Sequence, residues 1–110
     1  MATTRMTPEM FELVAERFRA LGEPARLQIM DALRADEQTV NALVESTGLS
    51  TANVSKHLQI LYAAGFVTRR KEGTHVYYAL AGDDMFKLCD IVCGRLEAEA
   101  EQRRRVFTAE

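Results

Sequence analysis

Between residues 38 and 65 the chain reads Gln-Thr-Val-Asn-Ala-Leu-Val-Glu-Ser-Thr-Gly-Leu-Ser-Thr-Ala-Asn-Val-Ser-Lys-His-Leu-Gln-Ile-Leu-Tyr-Ala-Ala-Gly, the stretch that most constrains the fold. It predicts two short helices joined by a tight turn. Thr39 can cap the first, and Val40, Leu43 and Val44 follow the three-and-four spacing of one buried stripe. Gly48 stops that helix, because an abrupt helix end needs a residue tolerant of positive φ. Leu49 plugs the turn and Ser50 caps the second helix, where Val54, Leu58 and Leu61 share a face until Gly65. The opposite face carries Thr51, Asn53, Ser55, Lys56 and Gln59, with no acid among them. Hydroxyls, amides and one cation on a carboxylate-free helix suit a DNA major groove, where phosphates flank the base edges. The stretch is a helix-turn-helix candidate spanning about residues 39–64.

On either side the pattern stays helical until it changes period. Thr7-Pro8-Glu9 is a helix start: a capping hydroxyl, a proline whose missing N–H costs nothing there, and an acid at the positive end of the dipole. Residues 1–6 ahead of it read as frayed. Phe11, Val14, Phe18 and Leu21 then recur at heptad-like spacing up to Gly22, more aromatic surface than a small monomer easily covers. Pro24 opens a second helix over 24 to about 35, with Leu27, Ile29, Met30 and Leu33 apolar, and 35–38 forms a polar connection. After Gly65 the period falls to about two. Residues 66–70 and 75–80 are rich in β-branched and aromatic side chains and are separated by Lys71-Glu72-Gly73-Thr74, which predicts a hairpin over about 66–80. Arg69, Arg70, Lys71 and His75 lie on or near its tip, as a wing lying along a phosphate backbone requires. Asp83 can cap a last helix over about 84–105. Its Met85, Leu88, Cys89, Val92, Cys93 and Leu96 form one apolar stripe, and a charged run with acids ahead of bases follows.

The 110 residues make one domain, 1–110, mainly α with a β-hairpin wing in the order α-α-α-α-β-β-α. A net charge of −2 looks wrong for a nucleic-acid binder until it is divided along the chain. Residues 51–80 hold Lys56, Arg69, Arg70 and Lys71 against Glu72 alone, a net of +3, which leaves −5 elsewhere. Such separation holds one face to phosphates while the remainder repels them. No apolar run approaches the roughly 20 residues of a membrane span, and Met-Ala-Thr-Thr-Arg-Met lacks a signal-peptide core, so a cytoplasmic protein with no membrane partner is expected. No glycine-rich phosphate loop, nucleophile motif or paired carboxylates in an apolar setting is found, which argues against an enzyme.

Cys89 and Cys93 are the two cysteines, too few and too close for a secreted disulfide framework. Four apart on a helix, they share a face with Cβ atoms about 5–6 Å apart. A disulfide wants roughly 3.5–4.5 Å, so a bond within one helix would be strained. Three readings stand. The thiols are small packing residues; they form an oxidisable switch; or, meeting their copies across a dimer axis, they hold a thiophilic ion such as As(III), Cd(II) or Zn(II).

Three blocks of the chain resemble the ArsR/SmtB family of bacterial winged-helix repressors. They are Phe18-Arg-Ala-Leu-Gly-Glu-Pro-Ala-Arg-Leu-Gln-Ile-Met, Leu49-Ser-Thr-Ala-Asn-Val-Ser-Lys-His-Leu-Gln-Ile-Leu and Ala64-Gly-Phe-Val-Thr-Arg-Arg-Lys-Glu-Gly-Thr-His-Val-Tyr-Tyr-Ala-Leu. The resemblance implies a homodimer built from the first and last helices, bound to double-stranded operator DNA of two-fold symmetry and released by a ligand or a thiol reaction. It implies Thr51, Asn53, Ser55, Lys56 and Gln59 as groove readers, with Arg69, Arg70, Lys71 and His75 on phosphates or in the minor groove. His57, beside the buried stripe, is either a structural histidine bonding the turn or a further base reader. The family's familiar metal sites are absent. Residues 37–42 hold no Cys-x-Cys pair, and the last helix has Asp83 and Asp84 but no histidine. Thiol-sensing relatives pair a cysteine near helix 2 with one on the last helix, whereas here both lie on the last. The expected function is a homodimeric, sequence-specific transcriptional repressor whose operator binding is relieved by a thiol-directed signal at Cys89 and Cys93. One alternative keeps the repressor with purely structural cysteines; a remoter one is a winged-helix module used for protein contacts.

Overall fold

The computed structural model describes residues 5–108. Of the N-terminal segment expected to fray, residues 1–4 lie outside that range. Five helices and one hairpin follow in order: α1 (Pro8–Leu21), α2 (Pro24–Ala32), α3 (Val40–Thr47), α4 (Thr51–Ala63), β1 (Val67–Glu72), β2 (His75–Leu80) and α5 (Asp84–Thr108).

Local chemistry explains most boundaries. The Thr7 hydroxyl accepts from the Met10 amide (3.2 Å) with Pro8 at the first helical position of α1. Thr39 accepts from Ala42 N–H (3.2 Å) to start α3, and Ser50 accepts from Asn53 N–H (3.1 Å) to start α4. Gly48 sits at φ +78° between them, the left-handed conformation that lets α3 end and α4 begin within three residues. The hairpin is antiparallel, with Val67 opposite Leu80 and Glu72 opposite His75, and turns through Gly73 at φ +62°.

Three boundaries differ from expectation, the first being that Lys71 and Glu72, expected in the connecting turn, extend β1 and leave Gly73-Thr74 alone as the turn. α2 ends at Ala32 rather than near residue 35, because the polar connection is itself structured. Gln38 N–H donates to Tyr78 O (2.9 Å) and Tyr78 N–H to Gln38 O (2.8 Å), so this connection lies against β2 as a one-residue third strand. The Gln38 amide side chain also donates to Ala32 O, occupying a carbonyl at the end of α2. At the other end α5 runs to Thr108, with Arg104 and Arg105 on Glu101 carrying it past residue 105.

The core is built from Ile29, Met30, Leu33, Leu43, Val54, Leu58, Leu61, Val67 and Met85. It therefore belongs to α2, α3, α4, the root of β1 and the first turn of α5. Leu27, expected among the apolar positions of α2, is exposed. The start of α5 is fixed by Met85 in the core and by the Arg34 guanidinium 4.0 Å over the Phe86 ring. α1 contributes only Ala20 to the buried set, while Phe11 and Phe18 are 60% and 54% exposed.

Candidate nucleic-acid interface

Burying Val54, Leu58 and Leu61 fixes the rotation of α4, and the 3.6-residue period then turns Thr51, Asn53, Ser55, Lys56 and Gln59 to solvent. All five are exposed, and within the described residues none of their side chains is spent on an intramolecular hydrogen bond or ion pair. The donors and acceptors of this face are free for an external partner.

His57 is half-buried at the edge of that face. Its Nδ1 lies 3.1 Å from the Arg26 guanidinium, which also donates to Ala20 O (2.6 Å) and Arg19 O (3.3 Å). A guanidinium has only donors, so Nδ1 accepts and the ring proton belongs on Nε2. Arg26 thus ties the C-terminal carbonyls of α1 to α4. The partner is Arg26 of α2 and not the turn that the structural reading named for His57. Arg26 carried no signal of its own in the sequence, since the link joins residues 31 apart.

The wing presents its charges on two faces, as a strand must. Arg69 lies 4.1 Å over the Tyr62 ring at the exposed end of α4. Lys71 is exposed, and His75 is exposed with its ring tilted against Tyr77 at 6.3 Å. Arg70 is arranged differently from the phosphate-facing cation expected of it. Its Nε donates to Glu37 Oε2 (2.9 Å), Nη2 bonds the same carboxylate, and Nη1 donates to Glu72 Oε1 (2.6 Å). The guanidinium also lies 4.7 Å over the Tyr77 ring. The Arg70 hydrogen bonds, chiefly, hold the Glu37 carboxyl below its ordinary range, and Glu37 followed by Glu72 raises Arg70 further above its own. Glu37 was not among the expected site residues. It is 33 positions from Arg70, and only the pairing of Gln38 with Tyr78 brings the two together.

Cys89 and Cys93 stand apart from this surface. Cys89 is half-buried against the core with Sγ 3.4 Å from Met85 Sδ, and Cys93 is exposed. Burial pushes the Cys89 thiol above its ordinary range, with Cys93 and Asp90 adding to the effect and Arg34 opposing it. Among the described residues no three His, Cys, Asp or Glu side chains converge as a metal site would require. One chain therefore supplies at most two thiols. Beside them α5 exposes Leu88, Ile91, Val92 and Leu96, and α1 exposes Phe11, Val14 and Phe18. Among the described residues no helix is long and apolar enough to cross a membrane.

Known proteins share this arrangement. Residues 23–69 match the model for bacterial regulatory proteins of the arsR family. The HTH-type transcriptional regulator Rv0324 of Mycobacterium tuberculosis is 39% identical over 83 residues, 76% of this chain but 37% of that protein, so the chain spans little more than a third of this relative's length. A protein named as the probable repressor of a mercury resistance operon in Streptomyces lividans is 32% identical, with 84% of each chain covered. Among solved structures, the homodimeric winged helix-turn-helix DNA-binding domain of Mb0332 from Mycobacterium bovis superposes with a TM-score of 0.74 and 33% identity, covering 88% of this chain and 90% of that one. With its helices, turn, wing and matched residues in that order, the chain belongs to the ArsR family of bacterial regulatory proteins, which are DNA-binding regulators and not enzymes.

Proposed function

We propose that the protein is a homodimeric, sequence-specific transcriptional repressor acting on operator DNA in the bacterial cytoplasm. The observation that carries this reading is the exposed, carboxylate-free face of α4, whose Thr51, Asn53, Ser55, Lys56 and Gln59 are unspent within the chain. Asn53 and Gln59 are the amides suited to bidentate contact with adenine, and Lys56 suits a guanine edge or a phosphate. Arg69, Lys71 and His75 extend the contact along the backbone from the wing. His57 backs the helix through Arg26.

The dimer follows from surfaces one chain leaves open. Phe11, Val14 and Phe18 on α1, with Leu88, Ile91, Val92 and Leu96 on α5, are apolar side chains that a second copy would cover. Two copies would set their α4 helices against half-sites about one helical turn apart, roughly 34 Å. The relatives' names supply the sign of regulation, repression.

Binding is tested by fluorescence anisotropy on a duplex selected from a random pool. Affinity should fall steeply with salt, and Lys56→Glu should weaken it by about tenfold or more with fold and dimer unchanged. Normal binding by that variant would refute the docking of α4. For the signal, the pair Cys89 and Cys93 would meet its copy across the dimer, giving a thiol cluster for As(III), Cd(II) or Zn(II). A raised Cys89 pKa taxes oxidation and metal capture alike, since both use the thiolate, so the choice between them rests on which agent releases the DNA. Release of DNA by one of these ions, lost in both Cys89→Ser and Cys93→Ser, is the expected result. Release by peroxide or polysulfide instead would make the switch an oxidative one, and no release by any agent would return both cysteines to packing.

A further inference from the structure

We infer that Arg70 and Glu37 form a strut that sets the angle of the wing, and that Arg70 is a positioning residue rather than a phosphate ligand. The inference rests on the DNA-binding reading above and adds a division of labour among the wing's cations.

A two-stranded hairpin is marginal alone and takes its orientation from what it touches. At its root Val67 enters the core, and on that same face Arg69 packs on Tyr62 of α4. The opposite face carries Arg70, Glu72, His75 and Tyr77, by strand alternation and the observed register. There the connection between α2 and α3 lies beside β2, held by the two Gln38–Tyr78 backbone bonds, which brings Glu37 onto this face. Arg70 reaches across Tyr77 to Glu37, so one guanidinium ties β1 to the body over the top of β2. The fork geometry matters: Nε and Nη2 take one carboxylate while Nη1 takes Glu72.

Charge favours keeping it there. Arg70 with Glu37 and Glu72 sums to −1. Moving the guanidinium to a phosphate would leave two carboxylates uncompensated beside a polyanion. Lys71 and Arg69 carry no carboxylate partner among the described residues and face the other way, toward the α4 side of the hairpin. They are the cations free to displace counterions.

The test is the salt dependence of binding, measured on the full chain with one selected duplex. Replacing a cation that neutralises a phosphate lowers the log–log salt slope by about 0.9. Lys71→Gln should show that change. Arg70→Gln and Glu37→Ala should each weaken binding several-fold with the slope unchanged, and the double variant should be no worse than either single one. Arg70→Lys should fail to restore affinity, because an ammonium keeps the charge without the fork. Hydrogen exchange gives a readout without DNA: both single variants should speed exchange of the cross-strand amides of β1 and β2 while those of α2, α3 and α4 stay as they were. A slope reduced by Arg70→Gln and restored by Arg70→Lys would overturn the strut. So would tighter binding by Glu37→Ala, which would make Glu37 a competitor of phosphate. Salt-independent binding by the unaltered chain, with Lys56→Glu without effect, would instead remove the DNA-binding reading itself, and the strut's role with it.

Discussion

The segment from α2 to α4 and the two outer helices solve the burial problem differently. α2, α3 and α4 close on each other, placing Ile29, Met30, Leu43, Val54, Leu58 and Leu61 in a core with almost no exposure. α1 and α5 hold a larger share of the aromatic and aliphatic side chains than they bury: Phe11, Phe18, Ile91, Val92 and Leu96 are each at least half exposed. The middle of the molecule is complete as a single chain, and its flanks are shaped for something that a single chain lacks. In the function proposed above that difference would separate the two tasks of such a regulator, with recognition on the finished part and pairing on the unfinished one.

The comparison breaks most visibly through core and flank leucines. Leu58 is fully buried, so Leu58→Ala should cost about 2–5 kcal/mol, read by urea denaturation, at every protein concentration. Leu96 is 58% exposed, and Leu96→Ala should leave the stability of a dilute sample nearly unchanged. Its penalty should appear only as concentration rises, because mass action adds stability only where a second copy binds. A concentration-independent loss from Leu96→Ala would place that residue in the monomer's own packing and dissolve the contrast.

A smaller contrast lies in two glycines. Gly48 joins α3 to α4 at φ +78° with nothing within 4 Å of where a Cβ would stand, so Gly48→Ala meets no neighbour and is penalised by backbone conformation alone. The expected cost is roughly 1–2 kcal/mol in thermal or urea unfolding. Gly94 lies inside α5 with equally open space and a helical backbone, where Gly94→Ala should stabilise by about 0.5–1 kcal/mol. Opposite signs from the same substitution in the same open surroundings would show that the turn, not crowding, demands Gly48.

What could be read from the sequence follows the range over which each feature is determined. Caps at Thr7, Thr39 and Ser50, the left-handed Gly48 and the buried stripe of α4 are set by residues within one or two turns, and the chain spells them out. The polar face of α4 was legible for the same reason, since naming three buried positions on a helix fixes the rest. The wing's charges were legible as a cluster but not as an arrangement. Counting Lys56, Arg69, Arg70 and Lys71 against Glu72 treats residues 51–80 as a closed account. The carboxylate that engages Arg70 comes from Glu37, outside that window, delivered by a backbone bridge no local pattern announces. Arg26 escaped for the same reason, its partner being a turn of α4 distant in sequence. The end of α2 at Ala32 is not spelled out locally, because the competing interaction, Gln38 with Tyr78, is long-range as well.

The smallest expected effect concerns that same long-range pair. Glu37 is held below its ordinary pKa of 4.5, first by the Arg70 hydrogen bonds. A carboxyl whose folded pKa is depressed contributes stability that is fully present above its ordinary value and is lost as the pH falls toward the folded one. Arg70 is shifted upward and stays charged throughout, so it adds no pH dependence in this window. The difference in wing exchange between the unaltered chain and Glu37→Ala should therefore be constant from about pH 8 to pH 5 and should close in more acid solution. Because the pair is exposed, about 0.5 M salt should shrink the difference as well. A difference that instead narrowed as pH rose from 5 to 8 would take the anchoring role from Glu37.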